Sequence, residues 1–332
     1  MSHSLKHQIK IAIDECFITG ADKHSIKREM QKNKQKNKDI GTTKRDMKKS
    51  NKHKNYDHRI YSYADRKNLM DTAMGFVNYL RENYPDIKYV KQIKPKHCFA
   101  FLQSKVNTCT QATIVQYSSR LQKLSRVINK HYNIHTKYIC EIPKADKSGE
   151  LRTKVMTRED LKLICDTSND CTSKRALLLT GETGLRVTSL VRLKVCDVNF
   201  EKKTLFVFED KGKRSRTIPI NDAAVDYLKS YCSGKIGHDY IFTPEGSKKH
   251  ISADTVDEFL RENAVKCGIT TYRDAKTGVH AIRKMVALEL YYQKRADGMD
   301  YKPAVMYVLK YLGHSSYRKD LVRRYLPGIV EG

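Results

Sequence analysis

The segment 279–326 concentrates residue types that can hold and attack a phosphodiester. His280, Arg283, His314 and Tyr325 lie within 46 residues of one another. His280 and Arg283 are three residues apart, so on a helix they share one face and can approach one target. A guanidinium offers a planar fork of donors that matches two phosphate oxygens. Tyr325 is a candidate covalent nucleophile, because a site rich in positive charge favours the phenolate.

Such chemistry also requires a second arginine and an acid for the leaving group, and the upstream chain offers both. Arg186 lies among apolar residues, where an unpaired charge would be costly. A structural salt bridge is the alternative explanation for this arginine. Lys211 lies at the tip of a hairpin predicted between strand-like runs at 204–208 and 216–220. From there it can reach a cleft, although taken alone it also fits an ordinary surface lysine.

The composition points to a polyanionic partner. The chain has 332 residues and a formal charge of +27, from 64 Lys and Arg against 37 Asp and Glu. Such an excess favours nucleic acid, although a soluble protein can be basic without that partner. Nine cysteines form no C-x-x-C pair, which argues against a zinc site and a disulfide framework. No stretch has the length and apolar character of a signal peptide or membrane span, so we expect a cytoplasmic protein.

Length and patterning predict a mainly α-helical fold with a small antiparallel β-sheet, divided into two domains. Residues 5–17 have the apolar spacing of a short helix. Thirteen Lys or Arg follow within residues 23–54, a composition that cannot bury a core. A linker, an arm that tracks DNA and a helix that forms on a partner all remain possible there. The predicted boundaries are a basic, arm-like or flexible extension at 1–57, a helical domain at 58–142, a linker at 143–153 and a second domain at 154–332.

Local signals place the elements of the second domain. Thr157 and Asp160 form a capping box, and the apolar run 175–180 predicts a buried central helix. Gly181 and Gly184 predict a turn between this helix and the next. Arg186 then begins the following helix.

Four motifs in this order resemble the tyrosine recombinase, or phage integrase, family. They are T-G-L-R-V-T-S-L, a K-G-K-R-x-R hairpin that ends in I-P-I, H-A-I-R-K, and L-G-H-S-S, with a tyrosine shortly after. The resemblance covers residues 153–326 and implies a mixed α+β catalytic domain. The helical domain before it resembles the family's core-binding domain in position and size, without a motif of its own.

The resemblance assigns roles by position. Arg186 and Arg283 would clamp the scissile phosphate, and His314 would hold a phosphate oxygen and support the nucleophile. His280 would act as a base or a phosphate donor. Lys211 would be the general acid for the 5′-hydroxyl leaving group, with Lys213 as the alternative in the same hairpin.

Tyr325 would form the 3′-phosphotyrosyl bond. Fixed cations can then stabilise the transition state without a metal or ATP, and we expect no metal site and no cofactor.

Two features depart from the family pattern. Ser189 occupies the place, three residues after Arg186, where the family often has an acidic residue. A serine can donate or accept a hydrogen bond but cannot hold a neighbouring charge. Tyr325 lies eleven residues after His314, where about nine is usual, so a longer loop is required. Tyr317 is the competing nucleophile, although it follows the histidine too closely to lie on the next helix.

The resemblance implies a site-specific DNA recombinase of a mobile element, such as an integrase or transposase. Its expected partners are double-stranded recombination sites, a homotetramer assembled on two such sites, and accessory DNA-bending or excision factors. A type IB topoisomerase-like or relaxase-like nicking enzyme would share the chemistry. A DNA-binding accessory protein with a silent site is a third alternative, against which the complete set of site residues argues.

Overall fold

The computed structural model of the chain describes residues 4–18, 58–146, 154–210, 214–272, 278–314 and 316–330. The chain divides into two compact units, Met1–Gly149 and Glu150–Gly332. Helices dominate both, and the described strands form one three-stranded antiparallel sheet in the second unit. The predicted fold class is therefore confirmed. None of the helices in the described ranges has both the length and the apolar character to cross a membrane.

Four α-helices and a short 3-10 turn form the described part of the first unit. They are α1 (Leu5–Glu15), α2 (Tyr63–Asn83), the turn Val90–Gln92, α3 (Pro95–Gln103) and α4 (Gln111–Tyr132). Serine side chains cap the first two helices, since Ser4 accepts from the amide of His7 and Ser62 from that of Asp65. These bonds satisfy amides that have no partner inside their own helix.

Helix α1 belongs to the core of the first unit. Ile9, Ala12 and Ile13 are fully buried among residues of α2 and α4. Just after the helix, the amide of Ile18 donates to the carbonyl of Ile60 at 2.9 Å, and Ile60 donates back to Cys16 at 2.9 Å. The helix predicted within residues 5–17 is therefore present, but its apolar face packs in the core of the first unit and does not belong to an arm-like extension. Residues 19–57 lie outside the described residues.

Eight α-helices and three strands make up the described part of the second unit. The helices are α5 (Arg158–Thr167), α6 (Thr172–Thr183), α7 (Val187–Leu190), α8 (Asp222–Cys232), α9 (Ala253–Lys266), α10 (His280–Ala296), α11 (Tyr301–Tyr311) and α12 (Lys319–Tyr325). The strands are β1 (Val198–Asn199), β2 (Thr204–Asp210) and β3 (Arg214–Pro219), in the order β1-β2-β3.

Helix α6 lies at the centre of the second unit and packs against α5, α8, α9 and α10. The predicted cap of α5 is confirmed, since Thr157 Oγ1 accepts from the amide of Asp160 at 3.0 Å. The prediction for Gly181 is wrong, because this residue lies within α6 and not in the turn after it. A Cβ at this position would come within 2.7 Å of Leu161 Cδ2. The glycine therefore permits the close approach of α5 and α6.

The sheet alternates between a buried and an exposed face. Leu205 and Val207 of β2 are fully buried, whereas Phe206 and Phe208 are exposed. Strand β2 pairs antiparallel with β3, so that Leu205 faces Ile218. This pairing confirms the predicted hairpin, whose tip at 211–213 lies outside the described residues.

The chain that enters the second unit is bound to the first turn of α10. The amide of Met156 donates to the carbonyl of Ala281 at 3.2 Å. The buried Lys284 places its Nζ 3.1 Å from the carbonyl of Lys154. Tyr272 donates its hydroxyl to the Asp160 carboxylate at 2.8 Å, close to the same segment. The bonds of Met156 and Lys284 therefore hold residues 154–156 against the start of α10.

Candidate active site

Helix α10 begins at His280 and carries Arg283 in its first turn. The carboxylate of Asp257 accepts from the amide of Val279 at 2.9 Å, which supplies a partner at the start of the helix. His280 is exposed, whereas Arg283 is 1% exposed. The predicted three-residue spacing on one helix is present, but the two side chains have different surroundings.

Arg283 joins three elements through its guanidinium. Nη1 donates to the carbonyl of Gly184 at 2.6 Å, and Nη2 donates to the carbonyl of Leu312 at 2.5 Å. Gly184 follows α6 and Leu312 follows α11, so both carbonyls belong to helix ends, where backbone acceptors lack partners in the helix. A buried guanidinium bound to two such carbonyls fixes the ends of α6 and α11 relative to α10.

Gly184 also determines where Arg186 lies. Its φ of 58° is in the left-handed region that favours glycine, and a Cβ there would come within 3.0 Å of Val286 Cγ1. The chain turns at this point and places Arg186 directly before α7. Arg186 is half-buried, and its Nη2 lies 3.4 Å from Nε2 of His314. Since a guanidinium only donates, this contact requires the tautomer of His314 that accepts at Nε2.

The L-G-H motif forms the turn that ends α11. Gly313 has a φ of 82°, and its amide donates to the carbonyl of Lys310 at 2.9 Å. The amide of His314 donates to the carbonyl of Leu309 at 2.8 Å, which completes a Schellman motif. Glycine is required here because the turn needs a left-handed residue. His314 is the first residue beyond the turn, and so its position depends on this helix end.

Tyr325 is the last residue of α12 and lies beside both His314 and Arg283. The ring centroids of His314 and Tyr325 are 5.1 Å apart. Cζ of Arg283 lies 5.4 Å from the centroid of the Tyr325 ring. Tyr325 is 4% exposed, whereas Tyr317 is half-buried and packs against the apolar cluster around α11 and α12. The geometry thus brings Arg186, Arg283, His314 and Tyr325 together.

Three further residues complete the comparison with the sequence. Ser189 is buried on α7, and its amide donates to the carbonyl of Arg186 at 2.9 Å. Lys211 and Lys213, the candidates for the general acid, lie outside the described residues.

Sequence reasoning gave no role to Arg216, the last arginine of the K-G-K-R-x-R motif, whose Nε donates to the carbonyl of Tyr311 at 3.1 Å. Alternate residues of a strand lie on the same face, and Arg216 is two residues before the apolar Ile218. This spacing is the signal in the sequence that could have identified Arg216.

The guanidinium of Arg283 and the imidazole of His314 adjoin the phenol of Tyr325, and a second guanidinium, that of Arg186, adjoins the imidazole. A tyrosine hydroxyl is one of the side-chain groups that can act as a covalent nucleophile. The same donors can stabilise negative charge that develops on a phosphoryl group. Within the described ranges, no group of three or more His, Cys, Asp or Glu side chains is arranged to hold a metal ion.

Comparison with known proteins identifies the family. Residues 154–326 match the phage integrase family. The chain belongs to this family. Tyrosine recombinase XerA of Pyrococcus furiosus is 30% identical over 168 residues, which are 49% of this chain and 54% of XerA. The match therefore spans about half the length of this relative.

Solved structures of phage integrase family proteins share the fold. Lambda integrase, crystallised as a dimer bound to a COC′ core site, superposes with a TM-score of 0.59 at 20% identity, over 82% of this chain and 74% of that one. Lambda integrase in a tetramer bound to a Holliday junction gives a TM-score of 0.59 at 21% identity, over 80% and 73% of the two chains. At such low identity these superpositions show the fold alone.

Proposed function

We propose that this phage integrase family protein is a site-specific DNA recombinase that cuts and rejoins strands through a 3′-phosphotyrosyl intermediate. The observation that carries the proposal is the placement of Tyr325 between His314 and Arg283, at a ring separation of 5.1 Å from the histidine. Family membership of residues 154–326 supports the same reaction. The ring of Tyr325 packs in the apolar cluster of α11 and α12, and its contacts with an imidazole and a guanidinium suit a nucleophile as well.

In the proposed reaction, the phenolate oxygen of Tyr325 attacks the scissile phosphorus and forms an O–P bond. The bond to the 5′-oxygen breaks, and Lys211 supplies the proton to that oxygen. Arg186 and Arg283 neutralise the phosphoryl oxygens, and one such electrostatic contact is worth roughly 3–4 kcal/mol in the transition state. His314 accepts the proton of the phenol or donates to a phosphoryl oxygen. His280, at the exposed start of α10, serves as a base or a phosphate donor.

Rejoining reverses these steps with a different strand. A 5′-hydroxyl attacks the phosphotyrosine, the bond to Tyr325 breaks, and the phenol recovers its proton. Because the covalent bond conserves the phosphodiester, the cycle requires no ATP. Fixed side-chain cations provide the charge stabilisation, and we therefore propose that the reaction proceeds without a metal ion.

The partners follow from this reaction. Exchange between two double-stranded sites requires four active sites, which supports a homotetramer, and lambda integrase is known as a tetramer on a Holliday junction. The basic residues within 1–57 exceed the needs of a minimal resolvase and favour a mobile-element integrase or transposase. Accessory DNA-bending or excision factors and a cytoplasmic location, with the protein on the nucleoid when bound, are part of the same proposal.

A nicked suicide substrate tests the proposal. The duplex is taken from DNA flanking the gene, where inverted repeats around a short spacer identify the site. On a denaturing gel, the wild-type chain should form a covalent adduct, whereas Tyr325→Phe should bind equally and form none. Tyr317→Phe is the matched control and should react normally.

Three outcomes would contradict the proposal. An adduct that persists in Tyr325→Phe, or disappears in Tyr317→Phe, would show that Tyr325 is not the nucleophile. Relaxation of supercoils without strand transfer between two sites would indicate a topoisomerase or nicking enzyme. Binding without any adduct would indicate an accessory protein.

A further inference from the structure

Arg216 lies on the face of the sheet that packs against the core. Its register partner on β2 is Val207, which is fully buried, and Ile218, two residues further along β3, is 2% exposed. Alternate residues of a strand point to the same face, so Arg216 points with Ile218 and not with the exposed Thr217. A cation in such a position needs strong hydrogen-bonding partners, because burial of a charge is costly.

The end of α11 supplies a partner. Nε of Arg216 donates to the carbonyl of Tyr311 at 3.1 Å, and Nη2 of Arg283 donates to the next carbonyl, that of Leu312, at 2.5 Å. The C-terminal end of a helix carries partial negative charge, so both cations are favourable there. One arginine comes from the sheet and the other from α10, and together they hold the same helix end from two elements.

The remaining acceptors of this helix end are bound by its own backbone. The last carbonyls of a helix have no partner within it and must be satisfied from outside. Amides of the following turn bind three of them: Leu312 to Val308, Gly313 to Lys310 and His314 to Leu309. His314 is therefore part of the hydrogen-bonded turn that Arg216 holds, and a shift of this turn moves the imidazole.

We propose that Arg216 is a positioning residue for His314. By holding the carbonyl of Tyr311, it fixes the last turn of α11 and thereby the distance between the imidazole and the phenol of Tyr325. Arg216 acts through the backbone of α11 and has no contact of its own with the scissile phosphate. This role rests on the proposed function, since His314 and Tyr325 are assigned their roles there.

Arg216→Met removes the donor and keeps a side chain of similar length. Adduct formation on the suicide substrate should slow about 10- to 100-fold under single-turnover conditions, because small displacements of a reacting group have effects of this size. Affinity for a half-site duplex should remain within about twofold, since no phosphate contact is lost. Weaker binding in this variant would overturn the proposal, because it would show direct contact with DNA.

A double-mutant cycle separates action through His314 from an independent role. In a His314→Ala background, Arg216→Met should have an effect smaller than about twofold, since there is no imidazole left to position. A full additional loss in that background would contradict the proposal. Arg295→Met is the matched control, because Arg295 also donates to a backbone carbonyl, that of Met299 at 3.1 Å, but at an exposed site. It should react at the wild-type rate.

A measurement without DNA distinguishes this proposal from the proposed function. In the full-length protein, NMR signals of the His314 ring, assigned by their loss in His314→Ala, should shift in Arg216→Met and stay unchanged in Arg295→Met. Arg216→Lys retains a cation at this position and is the less disruptive of the two substitutions. It should shift the His314 signals by less than Arg216→Met does. Unchanged His314 signals in both Arg216 variants would contradict the positioning role. Absence of any adduct in the wild-type chain would instead refute the proposed reaction.

Discussion

Nη2 of Arg283 donates a 2.5 Å hydrogen bond to the carbonyl of Leu312, one residue before the glycine that turns the chain into His314. The same guanidinium binds the carbonyl of Gly184, two residues before Arg186. One side chain therefore sets the backbone next to both the other arginine and the histidine of the candidate site. A residue with this position contributes to the stability of the second unit as well as to the arrangement of the candidate site.

Replacement of Arg283 by alanine should therefore destabilise the protein, unlike replacement of Arg186. Arg283→Ala leaves two buried carbonyls without this donor, at about 1–3 kcal/mol for each group. Arg186→Ala removes a half-buried side chain and should change the free energy of unfolding by less than about 1 kcal/mol. Urea denaturation of both variants measures the difference. Equal losses would show that Arg283 has no special structural role.

Cleavage should proceed in excess EDTA. The positive groups around Tyr325 are side chains, and the proposed reaction needs no ion to stabilise the phosphoryl charge. Adduct formation on the suicide substrate, measured with EDTA and with added Mg²⁺, should differ by less than about twofold on this mechanism. A Mg²⁺-dependent nuclease in the same buffer serves as a control for chelation. Strict dependence on Mg²⁺ or Mn²⁺ would refute the mechanism.

Lys211→Ala should slow cleavage of an ordinary substrate by about 10²- to 10⁴-fold, the usual contribution of a general acid. A substrate with sulfur in place of the bridging 5′-oxygen should restore most of the rate, because a thiolate leaves without protonation. Lys213→Ala is the matched control in the same hairpin and should cleave both substrates normally. If sulfur rescues Lys213→Ala and not Lys211→Ala, the assignment within the hairpin is reversed.

Deletion of residues 1–57 should destabilise the first unit. It removes three large apolar side chains of α1 from the core, Leu5, Ile9 and Ile13, each worth about 1.5–3 kcal/mol. Replacement of residues 19–57 by a short Gly-Ser linker keeps α1 and the pairing of Ile18 with Ile60, and should unfold near the wild-type denaturant concentration. Chemical denaturation compares the free energy of unfolding of the deletion with that of the linker variant. Equal stability of both would show that α1 contributes nothing to the core.

Alkaline pH should destabilise the second unit through Tyr311. Burial raises the pKa of this phenol to about 12, with Tyr307 adding to the rise, although Arg216 and Arg283 oppose it. The unfolded value is near 10, so the folded chain prefers the neutral phenol. This stability is fully present below about pH 10 and is lost as the pH rises towards 12.

Tyr311→Phe should reduce the loss of unfolding free energy between pH 9 and pH 11 by on the order of 1 kcal/mol. Tyr292→Phe, at a residue that is 59% exposed, is the control and should follow the wild-type curve. The chain contains no tryptophan, so tyrosine absorbance reports the phenol titration directly. A Tyr311→Phe curve that coincides with that of the wild type would contradict the prediction.

The sequence predicted most of the elements because their signals are local. The cap at Thr157 accepts the amide of Asp160, as the spacing of these two residues implies. The apolar spacing of residues 5–17 located α1, and the motifs located Arg186, Arg283, His314 and Tyr325. These features depend on residues close together in the chain, where side-chain type is informative.

The tertiary contacts of the site could not be predicted in the same way. Arg283 and Arg216 bind backbone carbonyls, and a carbonyl is present at every residue whatever its side chain. Only the fold determines which helix ends come within reach of a guanidinium. Gly181 was mispredicted for a similar reason. A glycine that allows two helices to approach cannot be distinguished in the sequence from a glycine that forms a turn.

Residues 154–156 are hydrogen-bonded to α10, so a force applied to this segment acts directly on that helix. Met156 donates to the carbonyl of Ala281, two residues before Arg283, and Lys284, one residue after Arg283, donates to the carbonyl of Lys154. A pull along the chain from residue 153 is therefore borne first by the helix that carries His280 and Arg283. A displacement of residues 154–156 would therefore be passed to this helix through two hydrogen bonds.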